Sequence, residues 1–130
     1  MDVTSVIGGT VITPPPAGGT GGGTGRPDFS AITLIKPLDR ASPPLFRRAL
    51  LDQRSATLMI DVCTRTAGTL ACNVKYRLEN VALTAIASEV ALDGASEAIS
   101  VLYGKITLQL ADGGNTVRSF CWDVKNGTTC

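Results

Sequence analysis

The 130-residue chain has no histidine. Its absence removes the commonest general base and every Ser–His or Cys–His nucleophile arrangement. Charge of either sign is barely in excess, with twelve Lys and Arg against eleven Asp and Glu, a net of +1. The basic residues are scattered, and the longest basic run is Arg47-Arg48. Neither nucleic acid nor an anionic membrane therefore has an electrostatic case as a partner. No apolar run approaches the roughly 20 residues of a membrane-spanning helix, so no membrane insertion is expected. The first residues lack the basic start and hydrophobic stretch of a secretory signal. This leaves export by another route, retention inside the cell, or a natural beginning that lies outside this chain. Aromatic residues are few, and Trp122 is the single tryptophan. It reads as a packing anchor, with stacking on a sugar ring as the alternative. The remaining acid–base arrangement pairs Asp61 with Glu79 or Asp123, but acids on a small β domain are ordinarily solvated surface or turn groups. No catalytic residue, metal or cofactor is expected, and the chain reads as a non-enzyme.

Four cysteines are present, and eight residues separate Cys63 from Cys72 and Cys121 from Cys130. The even count and repeated spacing favour two local disulfides, Cys63–Cys72 and Cys121–Cys130, and an oxidising destination. Zinc is the competing reading, weakened by the lack of histidine and of a Cys-x-x-Cys pair. Four buried free thiols are the third. The first disulfide poses a register problem. Leu58, Ile60 and Val62 alternate on one face, as do Cys72, Val74 and Tyr76. Facing those sets across a Thr66-Ala67-Gly68 turn puts Cys63 on the wrong side. A two-residue Ala67-Gly68 turn aligns the cysteines but sets Ile60 against Lys75. A β-bulge reconciles both demands.

The length predicts one domain, residues 1–130. Residues 2–13 read as a strand bent at Gly8-Gly9. A Pro/Gly/Thr-rich stretch over 14–26 follows, and eight of the fourteen glycines lie before Arg26. Its composition is that of a linker or long loop. It is not a phosphate cradle, because it leads into Arg26-Pro27 and another strand instead of opening a helix. Residues 31–36 read as a strand. Ser42 is placed as the N-cap of a helix running to about Leu51, with Pro43 at the first helical position. Leu45, Phe46, Ala49 and Leu50 fall on one helical face, and Asp39 reads as a turn residue bonding the backbone before the helix. Strands follow over 57–64, 70–78, 81–90, 98–110 and 117–124. Turns fall at Asp93-Gly94, Asp112-Gly113-Gly114-Asn115 and Asn126-Gly127. Asn126-Gly127-Thr128 also fits a glycosylation sequon, but the turn accounts for the same residues. Many strands, one short helix and no βαβ rhythm predict a mainly β fold, an antiparallel sandwich or barrel.

Five stretches resemble, in order, the haemolysin-coregulated protein (Hcp) family, the inner-tube subunits of bacterial type VI secretion systems. They are Gly21-Gly22-Gly23-Thr24-Gly25-Arg26-Pro27-Asp28-Phe29-Ser30, Lys36-Pro37-Leu38-Asp39-Arg40-Ala41-Ser42-Pro43-Pro44-Leu45, Leu78-Glu79-Asn80-Val81, Tyr103-Gly104-Lys105-Ile106 and Cys121-Trp122-Asp123-Val124-Lys125-Asn126. The resemblance implies a β-barrel-like sandwich with one flanking helix, assembling into hexameric rings that stack as a hollow tube. It also implies small effectors carried in the lumen, assembly in a bacterial cytoplasm, and secretion. Family members begin with a further strand that this chain lacks before Met1. The expectation is that a late start explains the gap or that a neighbouring subunit fills it.

A ring subunit buries both faces of some strands. Ala82-Leu83-Thr84-Ala85-Ile86-Ala87 carries no charge, which makes Ala85 and Ile86 candidate inter-subunit residues. Gly21, Gly22 and Gly23 are candidates for reaching an adjacent ring. Two other readings stand beside the tube subunit. One is a secreted, monomeric Hcp-like binding or effector module; the other is an unrelated extracellular β-sandwich that binds glycans through Trp122.

Overall fold

A computed structural model describes residues 1–13, 26–111 and 117–130. The glycine-rich stretch with Gly21, Gly22 and Gly23, and the turn expected at 112–115, lie outside them. In chain order the elements are β1 (Ser5–Ile7), β2 (Thr10–Thr13), β3 (Arg26–Phe29), β4 (Ile32–Pro37), α1 (Ser42–Leu50), β5 (Ser55–Thr66), β6 (Thr69–Ala91), β7 (Gly94–Leu102), β8 (Lys105–Ala111), β9 (Val117–Asp123) and β10 (Thr128–Thr129). Strand pairing is antiparallel throughout the registers observed. The fold is mainly β with one short helix.

The described residues gather into two compact units. The first comprises Met1–Leu51 and Leu83–Leu102, the second Asp52–Ala82 and Tyr103–Cys130. In the first unit β4 lies between β1 and β7, and the late part of β6 pairs with β7. Alternate residues of β4 turn inward, so Ile32 faces Val101, Leu34 faces Ile99, and Lys36 faces Glu97; all six are buried. On the other face the Thr33 and Ser100 hydroxyls share a hydrogen bond of 3.1 Å. The bend at Gly8 has a steric cause. A Cβ there would lie 2.8 Å from Cγ1 of buried Ile32.

In the second unit the early part of β6 lies between β5 and β8, and β9 and β10 extend the sheet. The registers Leu58↔Leu78↔Ile106↔Trp122, Ile60↔Tyr76↔Leu108↔Phe120 and Val62↔Val74↔Leu110↔Arg118 assemble one apolar face. The opposite face is charged, with Lys75 paired to Asp61 and both Arg77 and Lys105 paired to Glu79.

Two sequence expectations resolve differently in space, and the bulge expected in the β5–β6 hairpin is present. The run over 98–110 is not one strand, because it breaks at Tyr103-Gly104 into β7 and β8. Gly104 donates its N–H to the Glu79 carbonyl at 2.9 Å, and a Cβ on it would meet the Asn80 Cβ at 3.3 Å. Asn80 itself holds φ +55°, a left-handed kink where Leu78-Glu79-Asn80-Val81 changes course. A glycine within a strand pattern marks this kind of close backbone approach. The β5–β6 hairpin meets both register demands. Val62 faces Val74 and Cys63 faces Cys72, with a bulge between them, and Thr66 faces Thr69 across a two-residue turn. Finally, the helix starts where expected, but Ser42 is not its cap. Ala41 holds that place without a side-chain bond, and the Ser42 hydroxyl turns inward.

In that hairpin Ala67 and Gly68 both have positive φ, +50° and +82°, the geometry for which Asn-Gly is favoured. An alanine in the left-handed region carries a penalty of about 1 kcal/mol. Ala67→Asn is therefore expected to raise stability by about 0.5–1 kcal/mol, read as a higher urea midpoint at unchanged slope.

Candidate functional site

The most constrained cluster in the chain lies where β4 turns into α1. Lys36 continues the inward set of Ile32 and Leu34, so period-2 geometry drives its side chain into the interior. Its relative exposure is 0%, and that of Glu97, directly across on β7, is 3%. The Lys36 ammonium shares its three N–H groups among four acceptors, Glu97 Oε1 at 2.7 Å, the Pro37 carbonyl at 2.8 Å, Asp39 Oδ1 at 2.9 Å and, farthest, Ser42 Oγ at 3.2 Å. The Ser42 hydroxyl donates to Glu97 Oε1 at 2.7 Å and accepts the Asp39 N–H at 3.0 Å. Asp39 Oδ1 also accepts the Ala41 N–H at 2.8 Å, the turn role expected of it. A buried charge survives only when paired and hydrogen-bonded on every side. Among the described residues no buried side-chain polar atom lacks a partner.

These contacts set the protonation states. Burial opposes the Lys36 ammonium, but the hydrogen bonds and charges of Asp39 and Glu97 more than offset it and hold its pKa above the ordinary lysine value. The hydrogen bond from Lys36, joined by the Ala41 N–H, holds the Asp39 carboxyl below the ordinary aspartate value. A lysine held charged in this way is no nucleophile or base. The cluster ties helix, turn and two strands together, and its role is to position α1.

The other sequence candidates scatter. Lys75, opposite Asp61, stands four residues along β6 from Glu79, about 13 Å at strand rise. Asp61 and Glu79 each sit beside cations on the charged face. Asp123 accepts the Asn126 N–H at 2.9 Å, and bonds to Asn126 hold its carboxyl below the ordinary aspartate value. These carboxyls do not converge as a catalytic pair. Disulfides join Cys63 to Cys72 at the bulge and Cys121 to Cys130, where the Cys130 N–H donates to the Cys121 carbonyl and fastens β10 along β9. Both lie in the second unit. Trp122 is half-buried and its ring lies 6.4 Å from that of Phe120, nearly parallel to it. Ala85 is exposed and Ile86 half-buried on late β6.

Sequence reasoning missed two surfaces. On the apolar face of the second unit Ile60 and Leu78 are buried, but Val62, Leu108, Leu110 and Phe120 stay exposed, Phe120 at 57%. On α1, Leu45 and Ala49 turn inward, whereas Phe46 and Leu50 of the same expected face are exposed. Lys36 and Glu97 were missed as well, although the alternation Ile32, Leu34, Lys36 was a readable signal. No helix among the described residues is long and apolar enough to cross a membrane.

Breaking the cluster one partner at a time should be costly. Lys36→Met leaves the Glu97 carboxylate buried without its cation and is expected to cost about 3–5 kcal/mol. Lys36→Met with Glu97→Leu should recover most of that loss in urea unfolding. Ser42→Ala should cost about 1–3 kcal/mol, because a donor and an acceptor inside the cluster vanish. Asp39, whose pKa is lowered on folding, contributes stability above the ordinary carboxylate range and loses it as pH falls through the depressed value. Lys36, whose pKa is raised, contributes at all pH values below the ordinary lysine range. The contribution of the pair should therefore stay flat through neutrality and fall in acid, and Asp39→Asn should reduce that acid loss in a pH series of melting temperatures.

The described geometry meets its counterpart in known proteins. A family profile described as "Type VI secretion system effector, Hcp" matches residues 1–110. Among solved structures, one described as a type six secretion system protein superposes with TM-score 0.85 at 24% identity, covering 98% of this chain and 85% of its own. A type VI secretion system effector from Yersinia pestis superposes with TM-score 0.76 at 18% identity, covering 95% and 83%. The secreted protein Hcp3 from Pseudomonas aeruginosa gives 0.69 at 20% identity, covering 91% and 72%. None of the curated proteins compared matches the chain. With the family profile spanning most of its length, the chain belongs to the Hcp family of type VI secretion system proteins.

Proposed function

We infer that the chain is a structural subunit of a hexameric ring, that rings of it stack into the tube of a type VI secretion-like system, and that small effectors travel in the lumen. The observation that carries this reading is the open apolar face of the second unit. Val62, Leu108, Leu110 and Phe120 are cross-strand or near neighbours that water meets in a lone chain. Clustered exposed apolar groups of this kind mark an interaction surface, and identical copies in a closed ring can cover one. Exposed Ala85, with Ile86, belongs to a charge-free stretch suited to a second contact between copies. Gly21, Gly22 and Gly23 are assigned to contact between adjacent rings, by family resemblance alone. The family is one of structural secreted proteins, which agrees with the fully satisfied, non-catalytic role of the Lys36 cluster. Trp122 is itself half-buried beside Phe120, which favours packing over a sugar platform.

The reading is tested by particle mass and electron microscopy of the purified protein under non-reducing conditions. Ring-shaped particles of six chain masses are expected, and a lone species at high concentration would refute it. Ala85→Asp adds a charge at an exposed position, so it should leave the circular dichroism spectrum unchanged and abolish rings. Rings formed normally by this variant would remove Ala85 from the interface.

A further inference from the structure

The second exposed apolar surface lies on α1, where arginines stand beside the apolar side chains. At 100° per residue, Ser42, Leu45 and Ala49 share the inward side of α1, and Pro43, Phe46, Arg47 and Leu50 form an adjoining outward stripe. The burial follows that geometry. Ser42 is buried and Leu45 and Ala49 are half-buried, whereas Phe46 is 52%, Leu50 71% and the following Leu51 54% exposed. Arg40 and Arg47 are the cations that precede and join this stripe, Arg48 falls on the far side of the helix, and the nearest following acid, Asp52, lies beyond Leu51. The nearest preceding acid, Asp39, has its carboxylate engaged by Lys36 and the Ala41 N–H. The helix is long enough, at nine residues, to present two turns of this stripe.

We propose that the outward stripe of α1, centred on Phe46, Arg47 and Leu50, is a docking surface for an acidic amphipathic segment of another protein. Apolar side chains of that segment cover Phe46 and Leu50, and its carboxylates meet Arg47 and Arg40. Charge complementarity selects this occupant. A second copy presenting the same stripe would set arginine against arginine, which opposes association. An anionic membrane recruits clusters of about 4–8 basic residues, more than this surface offers on a chain of net charge +1. The surface lies within the first unit, and the proposal does not depend on ring assembly.

The test is a random-peptide display selection on the wild-type protein, with counter-selection on Phe46→Ser and Arg47→Glu. Both side chains are exposed, so both variants should keep the wild-type spectrum and melting temperature; Leu50→Gln serves as a further variant if either does not. The expected result is enrichment of peptides that interleave Asp or Glu with Leu, Phe or Trp. Their binding should be lost on the variants and weaken about tenfold between ~50 mM and ~500 mM salt. Enrichment of peptides without an acidic excess, binding retained by Arg47→Glu, or no enrichment would overturn the proposal. Two further outcomes would also overturn it. One is binding of the wild type to phosphatidylserine vesicles that Arg47→Glu abolishes. The other is loss of rings in Phe46→Ser with its fold intact, since a second copy would then be the occupant.

Discussion

The ion pair between Lys36 and Glu97 is the constraint on which the first unit depends. Two opposite charges face each other across β4 and β7 at the end of an otherwise apolar inner face. Neither could remain there alone, so the turn that follows β4 is shaped to complete their coordination. Pro37 offers its carbonyl, Asp39 its carboxylate, and Ser42 a hydroxyl that both donates and accepts. The start of α1 is therefore fixed by the demands of a buried ammonium. A capping bond is not needed to place it. The same demand explains why Asp39 serves two masters, its own turn and the lysine.

The exposed apolar surfaces of the chain follow from what its interior cannot use. A small β domain with two compact units buries few large apolar side chains, and among those left exposed are groups on one face of the second unit and along α1. Both surfaces are products of secondary-structure period, since every alternate residue of β5, β6, β8 and β9 and every third or fourth residue of α1 must point the same way. The two disulfides add a further property. They fasten strands β5 to β6 and β9 to β10 within one unit, cross-links that persist in an oxidising environment.

Much of the architecture was legible in the residues. Hydrophobic alternation exposed the mainly β character, Pro43-Pro44 after Ser42 marked the helix start, and the conflict between Ile60 and Cys63 pointed to a bulge. Other features were not, for reasons that can be named. Tyr103-Gly104 reads as part of one alternating run, because local pattern carries no information about the backbone of Glu79 and Asn80 approaching it. Ser42 reads as a cap because a serine before Pro-Pro has that local chemistry; its real partners, Lys36 and Glu97, include one that is 55 residues distant. Leu45, Phe46, Ala49 and Leu50 read as one helical face, yet only Leu45 and Ala49 of that arc are half-buried.

What the sequence determined by itself is local. It specifies strand and helix periods, the turn residues, the spacing of the cysteines and the family motifs, since each depends on neighbours a few residues away. Only the tertiary structure decided which inward positions would be salt-linked, where a strand must break, and which apolar side chains would be left to face water. Those outcomes turn on the cost of burying charge and on steric contact between distant segments, and no local pattern encodes either.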